Sequence, residues 1–351
     1  MKASSWASSF KADFIKQSNS LLLSVDDHEE VTDEFHGVKV CFLRHHREFI
    51  SGSYIDHVIK EGKALALKNR QRKMYSNTPC IDWNNWKIKW SCTCFEHTAT
   101  FDTLAMESKK KEEIMNDLKK FSEAKEYYAK IGKSWKRGYL LFGPPGTGKS
   151  TMIAAMANFL NYDVYDIELT IVKSNRELKS LLINTSSKSL IVVEDIDCSL
   201  NLTGQRQSKS DSEYKSSEVT LSGLLNFVDG LWSASAGERI VVFTTNHVDK
   251  LDPALIRSGR MDKHIEMSYC CFEAFKVLAK NYLDIDSHEL FAEIDSLLAE
   301  TNMTPADVAK NITPKPGEEE DNIAESCLKN LIKALKEVKP VNGEEEERVD
   351  P

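Results

Sequence analysis

The octapeptide GPPGTGKS, from Gly143 to Ser150, constrains this chain more than any other stretch. It fits the phosphate-loop pattern G-x-x-x-x-G-K-[ST] at Gly143, Gly148, Lys149 and Ser150. In such a loop successive backbone N–H groups turn inward and form an anion nest. The lysine sets a point charge against the β- and γ-phosphates of a nucleotide, and the hydroxyl can ligate Mg²⁺. The motif works only between a strand and a helix, and the flanks supply both. Residues 138–142 predict a short buried strand, and residues 151–158 predict a helix. The alternative is a Gly/Pro surface turn, and the strand–loop–helix context argues against it.

At 351 residues the chain is long enough for two ordinary domains. Its 41% hydrophobic and 28% charged residues describe a globular protein. A net charge of −8 argues against a general nucleic-acid binder, which is expected to be basic. The acidic runs at 318–321 and 344–347 read as a solvated loop and tail. Among the eight cysteines there is no C-x-x-C pair, so reduced thiols rather than a zinc knuckle are expected. The acceptor triplet from Asn201 to Thr203 is discounted, because free thiols and a nucleotide loop do not suit a secreted chain. No apolar run approaches the ~18–20 residues that span a bilayer, so no membrane span is expected. Residues 1–12 carry Lys2, Lys11 and several serines, faintly like a transit peptide, and read better as a disordered polar start.

Four regions are expected: an α+β region over 1–97, an α/β nucleotide-binding domain over 98–264, a helical lid over 265–340 and an acidic tail over 341–351. In the first, residues 38–42 alternate like a strand and residues 50–67 have helical spacing. Trp83, Trp86 and Trp90 read as a small aromatic core. Residues 107–128 read as one charged surface helix. Strand–helix alternation from 138 to 264 predicts a parallel sheet, interrupted by a polar, serine-rich loop at 201–217. Helical signals follow at 272–282, 288–301, 305–310 and 323–338.

Two further strands carry chemistry. Residues 190–193 are apolar and end in Glu194 and Asp195. In a parallel α/β sheet that end is where ligands bind. One carboxylate there can hold Mg²⁺ through water, while its neighbour polarises the water that attacks a γ-phosphate. A helix N-cap is the bland alternative. Residues 240–245 form another buried strand that ends in Asn246, a candidate partner for the γ-phosphate or the attacking water, or simply a turn residue. The segment LDPALIRSGRMD follows at 251–262.

Together, the loop, the acidic strand end, the Thr-Thr-Asn strand and the LDPALIRSGRMD segment resemble the AAA-type ATPases over about residues 101–308. Residues 100–106, 135–139, 153–158, 194–198 and 221–232 resemble one branch, which contains the mitochondrial translocase of the Rieske iron–sulfur protein and a large set of plant AAA ATPases. The resemblance implies ATP and Mg²⁺ as cofactors. It implies phosphate contacts from Gly143, Pro144, Pro145, Gly146, Thr147, Gly148, Lys149, Ser150 and Thr151, and metal contacts from Ser150 and Glu194. Glu194 falls where most of the family has its metal-associated Asp, and Asp195 where it has its catalytic Glu, so the order is reversed here. Asn246 matches the first sensor, and Arg257 and Arg260 match arginine fingers that act on a neighbouring subunit's nucleotide. Residues 304–308 sit where the family's lid approaches the nucleotide.

There are two departures from the family pattern. Residues 168–175 lack the aromatic–aliphatic–Gly triplet with which many members grip extended polypeptide, so remodelling or moving a folded client is expected instead. The branch begins with a membrane helix and a longer N-terminal domain, whereas here the helix is absent and residues 38–47 read as shortened. The expected fold is an α/β P-loop NTPase sheet with a C-terminal helical lid, preceded by a small α+β region. The expected activity is ATP hydrolysis by a homo-oligomeric ring acting on a protein client. A nucleotide-binding scaffold with little turnover and a DNA-acting ATPase are the competing readings, the second disfavoured by the charge.

Overall fold

The alternating strand and helix signals fold as a mostly parallel sheet between helices. A computed structural model describes residues 11–15, 20–24, 31–35, 38–42, 55–68, 71–82, 85–199, 219, 223–224, 237–253, 255–257, 259–314 and 323–338. The chain divides into two compact units, Met1–Gln71 and Arg72–Pro351. In the first, β1 (Lys11–Ile15) pairs antiparallel with β2 (Ser20–Ser24), and β3 (Val31–Phe35) with β4 (Val38–Phe42). Helix α1 (Ile55–Lys68) follows. The strand read at 38–42 and the helix read near 50–67 are both present.

The second unit carries β5 (Lys73–Asp82), β6 (Asn85–Cys94), α2 (Ser108–Glu123), α3 (Lys125–Lys130), β7 (Lys136–Phe142), α4 (Lys149–Leu160) and β8 (Asp163–Asp166). It continues with α5 (Asn175–Ile183), β9 (Ser189–Val193), α6 (Ile196–Ser199), β10 (Arg239–Thr245) and β11 (Lys263–Glu266). The sheet order is β11-β7-β10-β9-β8-β5-β6, parallel throughout except for the β5–β6 hairpin at its edge. All five residues of β9 and all seven of β10 are buried, as a strand covered by helices on both faces requires. Helix α4 is buried from Met152 to Ala157 and packs with β7, β9 and β10 side chains in one core cluster.

Two features differ from the sequence reading. Residues 107–128 form two helices, because the chain leaves α2 at Ala124, where the Phe121 carbonyl accepts from both the Ala124 N–H and Trp135 Nε1. Helix α2 is amphipathic, as a surface helix should be: Ile114, Leu118 and Phe121 lie on its buried face at i, i+4 and i+7, while Lys109, Lys110, Glu112, Glu113, Lys119 and Lys120 are exposed. The aromatic hairpin assigned to the N-terminal region extends the main sheet, with β5 pairing parallel to β8. Tyr75 stacks on Tyr165 at 4.3 Å, Trp90 meets Tyr165 edge-on at 5.0 Å, and Trp90 Nε1 donates to the Leu181 carbonyl at 3.0 Å. Trp83 and the side chain of Trp86, like most of 200–236, lie outside the described residues.

After β11 come α7 (Phe272–Leu283), α8 (Phe291–Glu300), α9 (Pro305–Ile312) and α10 (Ile323–Glu337), matching the four helical signals. Phe275, Ile294, Val308, Ile312, Leu328 and Leu331 belong to their shared core. Thr304 caps α9 by accepting from the Asp307 N–H, with Pro305 in the first turn. No described helix is long and apolar enough to cross a membrane.

Candidate functional site

The loop from Gly143 to Gly148 joins β7 to α4, so its N–H groups gather at the N-terminus of a buried helix. Gly143, Gly146 and Gly148 have φ of 142°, 79° and 93°, backbone that side-chain-bearing residues rarely adopt. A Cβ on Gly143 would lie 2.0 Å from the Met267 carbonyl oxygen. The turn is further braced by buried Thr147, whose hydroxyl donates to the Pro144 carbonyl at 2.8 Å.

Parallel register brings three strand ends to this loop. Thr245 of β10 lies opposite Phe142 of β7, and Phe243 lies opposite Val193 of β9. Residues distant in sequence therefore converge. Lys149 Nζ donates to the Gly143 and Pro144 carbonyls at 2.7 and 2.9 Å and to Asn246 Oδ1 at 2.7 Å. Ser150 Oγ donates to Glu194 Oε1 at 3.2 Å, and Asn246 Nδ2 donates to Asp195 Oδ1 at 3.3 Å. Burial lowers the Lys149 pKa, and the negative charges of Asp195, Asp197 and Glu194 oppose that fall. Asp195 stands in left-handed backbone at φ 46°. Its N–H donates to Thr244 Oγ1 at 2.9 Å.

Lys149, Ser150, Glu194, Asp195 and Asn246 thus form one constellation, with Pro144 and Thr147 in the loop beside it and Thr151 in the first turn of α4. Pro145 is exposed on the same loop. Segment 304–306 touches it from the helical region. The Ala306 N–H donates to the Gly146 carbonyl at 3.1 Å, and a Cβ on Gly146 would come 3.0 Å from Thr304 Oγ1.

Arg257 and Arg260 fall elsewhere on the unit. Arg257 is exposed and Arg260 half-buried. The Arg260 carbonyl abuts Gly138 so closely that a Cβ there would lie 1.7 Å away. Gly138 precedes Gly143 by five residues of extended chain, about 16 Å at 3.3 Å per residue. Asp262 fastens the segment: its carboxylate accepts from the Gly138 N–H at 3.0 Å and the Gly259 N–H at 2.8 Å.

Several residues of the site escaped the sequence reading. Thr245 Oγ1 donates to Asp197 Oδ1 at 2.8 Å, and Thr244 holds Asp195. Asp166, at the end of β8, has its carboxyl pKa pushed up to about 6 by burial and then by the negative charges of Glu194 and Glu168. An acidic residue closing the short apolar run that begins at Val164 was the available signal for Asp166. No sequence pattern pairs Thr244 with a residue on another strand. Among the described residues, no group of three His, Cys, Asp or Glu side chains could hold a metal by itself. Cys92, Cys94, Cys270, Cys271 and Cys327 are free thiols.

A family profile described as "ATPase family associated with various cellular activities (AAA)" matches residues 139–269. A second, described as "At3g28540-like, AAA+ ATPase lid domain", matches residues 270–348. The chain is similar to the mitochondrial AAA-ATPase ASD of Arabidopsis thaliana, 59% identical over 96% of this chain and 75% of that protein. It is also similar to AAA-ATPase At3g28580 of the same plant, 58% identical over 96% of this chain and 77% of that protein.

Proposed function

The chain belongs to the AAA family of ATPases, and from that premise we propose that it hydrolyses ATP to ADP and phosphate with Mg²⁺, as a homo-oligomeric ring that remodels or moves a protein client. One observation carries the assignment of roles: Ser150 meets Glu194, while Asn246 meets Asp195. Ser150 and Glu194 offer a hydroxyl and a carboxylate, hard oxygen donors that suit Mg²⁺. When bound, the ion neutralises charge on the phosphate oxygens. Lys149 and the loop amides hold the phosphates. Asp195 and Asn246 orient the attacking water, and the Asp195 carboxylate accepts its proton. The reversed acidic pair then keeps the usual division of labour, with Glu194 on the metal side and Asp195 on the water side.

The fingers Arg257 and Arg260 act on the neighbouring subunit's nucleotide, an assignment supported by the distance from Gly138 to the chain's own loop. The nucleotide-binding domain is assigned to 98–264 together with the β5–β6 hairpin that extends its sheet, the lid to 265–340 and the tail to 341–351, which leaves the N-terminal unit Met1–Gln71 for the client. A folded client is supported by residues 168–175, which lack an aromatic–aliphatic–Gly triplet, and by resemblance to the Rieske-protein translocase branch. Mitochondrial association is proposed because two relatives are named as mitochondrial.

Titration with an ATP analogue, paired with phosphate release, tests the reading. Lys149→Ala should lose affinity for the analogue. Asp195→Asn should bind it normally and hydrolyse ATP about 100-fold or more slowly, the ordinary contribution of a positioned base. Glu194→Gln should raise the Mg²⁺ concentration needed. Unchanged affinity and turnover in the first two variants would sink the reading, and a wild-type chain that binds without turnover returns the scaffold.

A further inference from the structure

Three consecutive residues at the end of β10 each grip the turn that follows β9. Thr244 Oγ1 accepts from the Asp195 N–H at 2.9 Å, Thr245 Oγ1 donates to Asp197 Oδ1 at 2.8 Å, and Asn246 Nδ2 donates to Asp195 Oδ1 at 3.3 Å. Neighbouring residues of a strand point to opposite faces of the sheet, so the two threonines hold the turn from both sides. Thr245 is itself fixed, since its hydroxyl oxygen accepts from the His247 N–H at 3.0 Å.

Asp195 needs this grip. Its φ of 46° puts a side-chain-bearing residue in left-handed backbone, a conformation that persists only where the surroundings over-determine it. The turn also takes the Asp195 N–H out of the strand ladder, which ends at the pair Phe243–Val193. Thr244 lies one residue beyond that pair and is 3% exposed. Its buried hydroxyl therefore receives an N–H that the ladder has released, and an N–H left without an acceptor is costly.

We infer that Thr244 is a positioning residue for hydrolysis: its hydroxyl fixes the strained backbone of Asp195 and so aims the Asp195 carboxylate at the attacking water. The inference rests on the proposed role of Asp195. Thr244 touches no substrate in this arrangement and acts through Asp195. A misplacement of about 1 Å in a catalytic group can cost on the order of 100-fold in rate.

The test is steady-state ATPase kinetics on the full chain, with thermal unfolding of each variant recorded alongside. Thr244→Val matches threonine in shape and removes the acceptor oxygen, and it should lower kcat by roughly 10- to 100-fold with KM for ATP within about twofold. Thr244→Ser keeps the oxygen and should restore most of the rate. A merely structural role predicts losses that follow the unfolding temperature and an equal effect on both constants. Wild-type kcat in Thr244→Val, or equal losses in the valine and serine variants, overturns the inference. Asp195→Asn, run in parallel, separates the two ideas: if it retains turnover, the role of Asp195 fails first. Should Thr244→Val not fold, Thr244→Ala removes the same oxygen without adding bulk and carries the same outcomes.

Discussion

Glu238 is a carboxylic acid with only 3% of its surface exposed, at the start of the strand whose far end carries the site. Burial raises its pKa from 4.5 to about 7. The folded chain therefore holds this proton over a range in which the unfolded chain has released it. Between about pH 4.5 and 7 the folded state binds more protons, so this group's contribution to stability falls as pH rises through that window and is flat above it. The effect is at least on the order of 1 kcal/mol, about 2–4 °C or more in Tm for a unit of this size. Glu238→Gln is neutral at every pH and escapes the loss. The Tm of the glutamine variant should therefore gain about 2–4 °C or more on wild type between pH 5 and 8, read by scanning calorimetry. A gap that stays constant with pH would place the charge in water. The neighbouring Arg239 has its pKa lowered to about 10 by burial and stays charged near neutrality, donating to the Leu182 and Thr185 carbonyls at the end of α5.

Strand β7 is the element on which both halves of the proposed mechanism hang. Its C-terminal end opens into the phosphate loop, and its middle bears the segment of Arg257 and Arg260. Gly138 makes that crossing possible, because any Cβ would strike backbone: the Arg260 carbonyl oxygen at 1.7 Å and carbon at 2.7 Å. The contact is stitched on both sides of the residue, with the Gly138 N–H reaching Asp262 Oδ2 and the Asp262 N–H reaching the Gly138 carbonyl at 2.8 Å. Upstream, Arg137 makes a two-point contact with Asp117 of α2, at 2.6 and 3.3 Å, and the Tyr139 hydroxyl donates to the same carboxylate at 2.5 Å. Gly138→Ala cannot be relieved by turning a side chain aside, so it should destabilise the second unit by about 3 kcal/mol or more. Urea unfolding followed by circular dichroism measures this, and a wild-type midpoint would show that the two segments do not touch as described.

At the scale of the whole molecule, a site divided between subunits makes a prediction that a monomer cannot meet. If Arg257 and Arg260 act in trans, Arg257→Ala with Arg260→Ala should bind ATP and lose nearly all turnover, since a finger arginine contributes on the order of 10³–10⁵ in rate. Lys149→Ala should be inactive for a different reason. Mixing the two dead proteins creates some interfaces that pair an intact loop with intact fingers, so part of the activity should return as the mixing ratio is varied. Absence of recovery, with subunit exchange shown by fluorescence transfer, would count against shared sites. Full activity of the arginine variant alone would refute them.

What the sequence determined by itself is whatever depends on neighbours in the chain. The phosphate loop is legible because its nest needs only glycines, a lysine and a hydroxyl at fixed local spacing, with an apolar strand before and a helix after. The same holds for the buried runs of β9 and β10 and for the four helices after β11, whose apolar residues recur at helical spacing. Tertiary structure decided which strands lie side by side. It placed β10 between β7 and β9, and it joined the aromatic hairpin to β8. The decisive bonds of the site follow from that order and span 97 residues for Lys149–Asn246, 49 for Thr244–Asp195 and 124 for Gly138–Asp262. Such partners share no local pattern. They meet because parallel register aligns strand ends that the packing of apolar faces on both sides of the sheet has already brought together.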